Sequence, residues 1–100
     1  MNPLVCTLTP ADYRHRQAAW LKLGTFVRAS VPVAGGLTFT FTPALGLRAS
    51  LAELVRLEAE CCAWMNFAIG ESPEGIQLTV TADGADGERG VRESFAPLAH

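Results

Sequence analysis

Two cysteines stand side by side at Cys61 and Cys62, and a carboxylate, Glu58, lies one helical turn before them. Thiolates select soft ions such as copper(I), zinc and mercury(II), and a carboxylate oxygen can complete such a set or accept a proton beside it. The third cysteine, Cys6, falls on the same face of an alternating stretch as Leu4 and Leu8. If that face points inward, Cys6 reaches toward the end of the segment that carries the pair. The ligand set read from the sequence is therefore Cys6, Cys61, Cys62 and Glu58. Three thiolates would suit a soft metal ion or a trivalent metalloid.

Three physical facts limit what this pair can do. Neighbouring residues on a helix point about 100° apart, so Cys61 and Cys62 cannot both grip one ion unless the helix ends there. A disulfide between them would demand a distorted peptide. Glu58 at one turn's distance also holds protons on the thiols, which disfavours a thiol nucleophile. No C-x-x-C or H-x-x-x-H accompanies the pair. In the competing structural reading the cysteines are small buried hydrophobes. An arginine of the first helix, Tyr13 or the Trp20 indole then holds Glu58.

Other chemistry is thin. His15 falls opposite the apolar stripe of its helix and His100 is terminal; Ser30, Ser50, Ser72 and Ser94 sit in no G-x-S-x-G elbow. Gly84, Gly87 and Gly90 do not have dinucleotide-fingerprint spacing. No catalytic set emerges, so the chain reads as a binding protein or a non-enzymatic regulatory or oligomerisation module rather than an enzyme.

The elements that must position these groups follow from periodicity. Leu4 to Thr9 alternates and predicts a strand. Thr9, Pro10 and Asp12 form a helix start, with Thr9 as cap, proline at the first helical position and an acidic capping box. The helix they open is expected to run to about Arg28, with Tyr13, Gln17, Trp20, Leu23, Gly24 and Val27 on one face. Arg14, Arg16 and Arg28 flank that face, where an arginine can lay its stem on apolar surface and reach inward. Ser30 to Gly36 reads as a loop around Pro32, Gly35 and Gly36. Leu37 to Thr42 alternates strictly and is the clearest strand.

Ser50 and Glu53 look like a second capping box, opening a helix that reaches Trp64 or Met65. Glu58 sits near the middle of that helix's apolar arc, flanked by Cys61 and Cys62. Phe67–Gly70 and Ile76–Thr81 predict an antiparallel hairpin around Ser72, Pro73 and Gly75. Asp83 to Gly90 is rich in glycine and aspartate, and Val91, Phe95 and Leu98 mark a short last helix before or up to Pro97. The order strand-helix-strand-helix-strand-strand-helix predicts an α/β (α+β) two-layer sandwich with a mixed sheet of about four strands.

Composition bounds the function classes. The 100 residues, taken as one domain over 1–100, are 49% hydrophobic and only 18% charged, enough to build a core without disulfides or metal. So apolar a chain suggests a self-association face, hence a homodimer. A net charge of −2 and the lack of a basic cluster argue against nucleic acid as a partner. No apolar run approaches the roughly 20 residues of a membrane span, and no secretory leader is visible. An odd number of cysteines fits a reduced, cytoplasmic protein better than a disulfide framework.

The run Leu51, Leu54, Val55, Glu58, Cys61-Cys62, Trp64, Phe67, followed by Ile76-Gln77-Leu78-Thr79-Val80, resembles small bacterial proteins of no established activity. These carry a leucine-rich helix ending in E-x-x-C-C-x-aromatic-x-x-Phe and then a β-hairpin. The resemblance covers roughly Leu51 to Val80. It implies a soft-metal connection by association, since such proteins occur near heavy-metal-responsive regulators. The expected function is a small cytosolic protein that holds a soft metal or metalloid through its vicinal cysteines.

Overall fold

A computed structural model describes residues 10–98. The Leu4–Thr9 strand, Cys6 and His100 fall outside them. Within the described residues the chain is α+β: three α-helices and one four-stranded antiparallel sheet. The order is α1 (Pro10–Gly24), β1 (Val27–Val33), β2 (Gly36–Phe41), α2 (Leu47–Cys61), β3 (Met65–Ser72), β4 (Gly75–Ala82) and α3 (Gly84–Ser94), then a 3₁₀ turn at Ala96–Leu98. The expected order is thus corrected: α1 leads directly into a pair of strands. Among the described residues the sheet is antiparallel rather than mixed: its strands run β1-β2-β4-β3 and every neighbouring pair is antiparallel.

The missed strand is β1. The periodic reading carried α1 through to Arg28, but the helix stops at Gly24, whose missing side chain makes room for Leu98 (an added Cβ would meet its Cγ at 3.2 Å). The Thr25 hydroxyl donates to the Lys22 carbonyl at 2.8 Å and helps close the last turn. β1 hides its alternation in two ways. A register shift between Val27 and Ala29 breaks the period of two. Pro32 then reads as a loop residue, although proline is tolerated on an edge strand, where β1 lies. Only Ala34 and Gly35 form the turn, with Gly35 at φ +84°.

The other corrections are of the same kind. α2 begins at Leu47 behind Gly46, which sits at φ 76° with no side-chain cap; Ser50 is therefore inside the helix. It ends at Cys61 rather than Trp64 or Met65. Gln17, expected on the buried face of α1, is exposed. The segment Asp83–Gly90 is mostly helix: α3 opens at Gly84, and Gly87 lets it lie on β4 (an added Cβ would come within 2.9 Å of the Ala82 Cβ). The hairpin is as expected, longer by a residue or two at each end.

All three helices contribute to one core on one face of the sheet. Leu37, Phe39 and Phe41 of β2 and Ile76, Leu78 and Val80 of β4 meet Trp20 and Leu23 of α1, Leu47 and Leu51 of α2 and Val91 of α3. Phe95 ties the layers together, its ring 5.2 Å from that of Trp20, 6.0 Å from Phe39 and 6.4 Å from Phe67. The opposite sheet face is built of rows set by the register. Val31, Thr38, Thr79 and Ala68 form the central row; Ala29, Thr40, Gln77 and Gly70 lie on one side, and Val33, Gly36, Thr81 and Asn66 on the other.

Candidate metal centre

The site forms because α2 ends where it does. The Cys62 backbone N–H still donates to the Glu58 carbonyl at 2.7 Å, but Cys62 itself has left helical geometry, with φ −119° and ψ 68°. The Met65 N–H then donates to the Cys62 carbonyl at 3.0 Å and turns the chain into β3. No glycine or proline marks this end in the sequence. The pull is tertiary, since Met65 is buried and pairs with Ala82. Leaving the helix at Cys62 removes the 100° divergence and brings the two sulfurs to 3.4 Å.

Glu58 serves two sides at once. Its Oε1 accepts a hydrogen bond from the Trp20 indole N–H at 2.8 Å and lies 3.5 Å from the Arg16 guanidinium. Its Oε2 faces the sulfurs, 3.7 Å from Cys61 Sγ and 3.6 Å from Cys62 Sγ. The side chains of Arg16 and Glu58 are only 14% and 12% exposed. Arg16 and Trp20 stand four residues apart on α1, hence on one face of that helix. The sequence offered an arginine of this helix, Tyr13 or Trp20 as partners of Glu58 and did not single out Arg16; the i, i+4 spacing to Trp20 is the signal that would have done so, and the Tyr13 side chain lies outside what the structure describes.

A buried carboxylate stripped of its cation is strongly destabilising. Arg16→Met should therefore lower unfolding stability in urea by about 2–3 kcal/mol, below the full range for a buried pair because the indole remains. Combining it with Glu58→Gln should cost less than the sum of the single changes, a coupling of about 1–2 kcal/mol. Strict additivity would mean that the pair does not interact.

The cysteines differ in state. Cys61 is disulfide-bonded in this structure and does not titrate. The bond is not to Cys62, since 3.4 Å far exceeds an S–S bond of about 2.05 Å. Any thiolate chemistry at Cys61 therefore belongs to the reduced protein, and the expectation of reduced thiols holds here for Cys62 only. Burial pushes the Cys62 thiol up to about 12, with the Glu58 carboxylate adding to the rise and Arg16 opposing it. In the unfolded chain the thiol ionises near 9.

The folded state thus keeps a proton that the unfolded state loses. The resulting stabilisation is fully present below pH 9 and disappears as pH climbs from 9 to 12. At pH 8 the thiolate fraction differs between the two states by about a thousandfold. Native Cys62 should react with iodoacetamide about that much more slowly than in urea, as read by mass spectrometry of the alkylated peptide. Equal rates would refute the proton-holding environment.

Among the described residues, Glu58, Cys61 and Cys62 bring one ligand atom each within 4.8 Å of one another. Their edges of 3.4, 3.6 and 3.7 Å can be compared with a metal site. A tetrahedral ion with bonds of about 2.3 Å to sulfur and 2.1 Å to oxygen holds its ligands about 3.6–3.8 Å apart. The three atoms form nearly one face of such a tetrahedron. Cys6, the fourth residue of the expected set, lies outside the described residues. Trp64 packs against the core, as an aromatic at a helix end commonly does. No helix among the described residues is long and apolar enough to cross a membrane. No known protein family, curated protein or solved structure matches the chain.

Proposed function

We propose that the reduced protein binds one soft divalent cation through Cys61, Cys62 and Glu58 Oε2, acting as a small cytoplasmic metal-binding protein. The observation that supports this reading is the triangle of two sulfurs and one carboxylate oxygen at tetrahedral-edge distances. Charge supports it as well. Two thiolates and a carboxylate carry three negative charges, which Arg16 and a divalent ion balance. Burial first and the Glu58 carboxylate second hold the proton on Cys62; the carboxylate also attracts a cation, so uptake exchanges the two thiol protons for the metal and strengthens as pH rises. Cys6 would supply a third sulfur, the arrangement that favours a trivalent metalloid. The resemblance of residues 51–80 to small proteins found near metal-responsive regulators points the same way.

The test is native mass spectrometry and calorimetric titration of the fully reduced protein with zinc, mercury(II), copper(I) and arsenite. One equivalent of a divalent soft ion, with proton release, is expected. Absence of any stoichiometric adduct overturns the reading.

A second reading is carried by a specific observation. The indole and guanidinium already neutralise one oxygen of Glu58, and Cys62 is buried with the core. On that reading the group only packs two helices in a regulatory or oligomerisation module. Cys62→Ala would then change stability and leave metal uptake where it was.

A further inference from the structure

We infer that the Cys61 disulfide and a bound metal ion compete for one sulfur, so that a low-molecular-weight disulfide empties the site and a thiol reductant restores it. The inference rests on the metal reading above and adds what controls it. Cys61 is disulfide-bonded. A sulfur held in a disulfide has no thiolate to offer, and a soft ion left with Cys62 and Glu58 keeps one thiolate in place of two. Yet with that bond in place Cys61 Sγ still stands 3.4 Å from Cys62 Sγ and 3.7 Å from Glu58 Oε2. The ligand positions are thus held in the oxidised chain, and cleavage of one S–S bond turns the cluster into a ligand set.

Exposure selects the sulfur that reacts. Cys62 is 5% exposed and belongs to the core, whereas Cys61 is only half-buried. Thiol–disulfide exchange needs access for the attacking group, which Cys61 gives and Cys62 withholds. The Arg16 guanidinium lies 4.0 Å from Cys61 Sγ. Positive charge there stabilises the thiolate that forms when the bond is cleaved, and so favours Cys61 as the leaving sulfur. Arg16 also pairs with Glu58 at 3.5 Å, which ties this cation to the ligand set itself.

In the metal-loaded reduced protein the Cys61 thiolate attacks one sulfur of a disulfide RSSR; the RSSR bond breaks and RS⁻ leaves. That RS⁻ takes the proton of a second protein thiol, which then attacks the Cys61 sulfur and expels the other RS⁻. Of the chain's three cysteines Cys6 is left for this role, since 3.4 Å excludes a bond between Cys61 and Cys62. Two protein thiols are oxidised and one RSSR is reduced to two RSH. The second RS⁻ and the Cys62 thiolate each take a proton from solvent, and the divalent ion is released. A thiol reductant runs the same steps backwards.

Competition of this kind is reciprocal. An ion that binds the reduced chain alone, at a free concentration about 100 times its dissociation constant, favours that chain about a hundredfold. The ratio of glutathione disulfide to squared glutathione needed for half-oxidation should rise by the same factor.

Zinc is the probe, and the full chain is prepared both phosphine-reduced and oxidised with glutathione disulfide. Peptide mapping is expected to find Cys61 in the bond of the oxidised sample. Calorimetric titration should give one equivalent of zinc for the reduced chain, affinity at least a hundredfold weaker for the oxidised chain, and recovery on re-reduction. Glutathione titrations with and without buffered free zinc should differ in midpoint by about a hundredfold. Equal zinc affinity in the two states overturns the gate and leaves the metal reading standing. A midpoint that zinc does not move, or a disulfide that omits Cys61, also overturns it. A reduced chain that takes up no zinc, mercury(II) or copper(I) overturns both.

Discussion

Serine in place of Cys62 should reduce the affinity of the reduced protein for mercury(II) or zinc at least a hundredfold. The substitution is nearly isosteric and removes one of the two sulfurs 3.4 Å apart. A serine hydroxyl stays protonated near neutral pH and is a poor ligand for a soft ion. Glu58→Gln should act more weakly, because two effects oppose each other. An oxygen ligand and a balancing charge are lost, yet Cys62 ionises more readily once the carboxylate beside it is gone. A net loss of about tenfold at neutral pH is expected. Arg48→Ala breaks only an exposed ion pair with Glu71, whose partners are 54% and 69% exposed, and should leave uptake unchanged. Calorimetric titration in the presence of a phosphine reductant reads all three. Uptake by Cys62→Ser equal to that of the wild type would leave the packing role as the one that stands.

Truncation of Phe95 to alanine should lower unfolding stability by about 3–5 kcal/mol. Phe95 is 5% exposed and its ring meets those of Trp20, Phe39 and Phe67, so the loss opens a cavity between α1, β2 and β3. Edge-to-face pairs of this kind add to the area that each ring buries. The loss should also loosen Trp20, whose indole N–H holds Glu58. Urea unfolding followed by tryptophan fluorescence measures the stability, and repeating the metal titration on the variant measures the transmitted effect. A cost below about 1 kcal/mol would show that the aromatic cluster is not the centre of the core.

Phe95 also shows where sequence reading runs out. Its spacing with Val91 and Leu98 marked a short helical tail, which is correct as far as it goes. Periodicity along one segment says which side is apolar and nothing about which distant rings that side will meet. β1 illustrates a different loss. A bulge and an edge proline erased the alternation, while Val27 continued the helical period of α1 by coincidence. The clear strands, β2 and β4, are those with an unbroken period of two over buried positions, and β3 follows as the hairpin partner of β4. The α2 start was misplaced because Ser50 and Glu53 had the spacing of a cap. Gly46, directly before Leu47, opens the helix instead with a left-handed backbone and no side-chain cap.

The amino-acid sequence by itself determined that this chain folds as an α+β domain, that Glu58 lies on the apolar side of a helix, and that it needs a partner there. Helical phase and the desolvation of a carboxylate are local facts, legible without coordinates. The approach of the two sulfurs was not legible. An ideal helix drives adjacent side chains apart, and only the demand of β3 for Met65 opposite Ala82 stops α2 at Cys61 and turns Cys62 out of helical geometry. Likewise the packing of α1 on α2, and not any motif, assigned one carboxylate oxygen to Trp20 and Arg16 and left the other facing the two sulfurs.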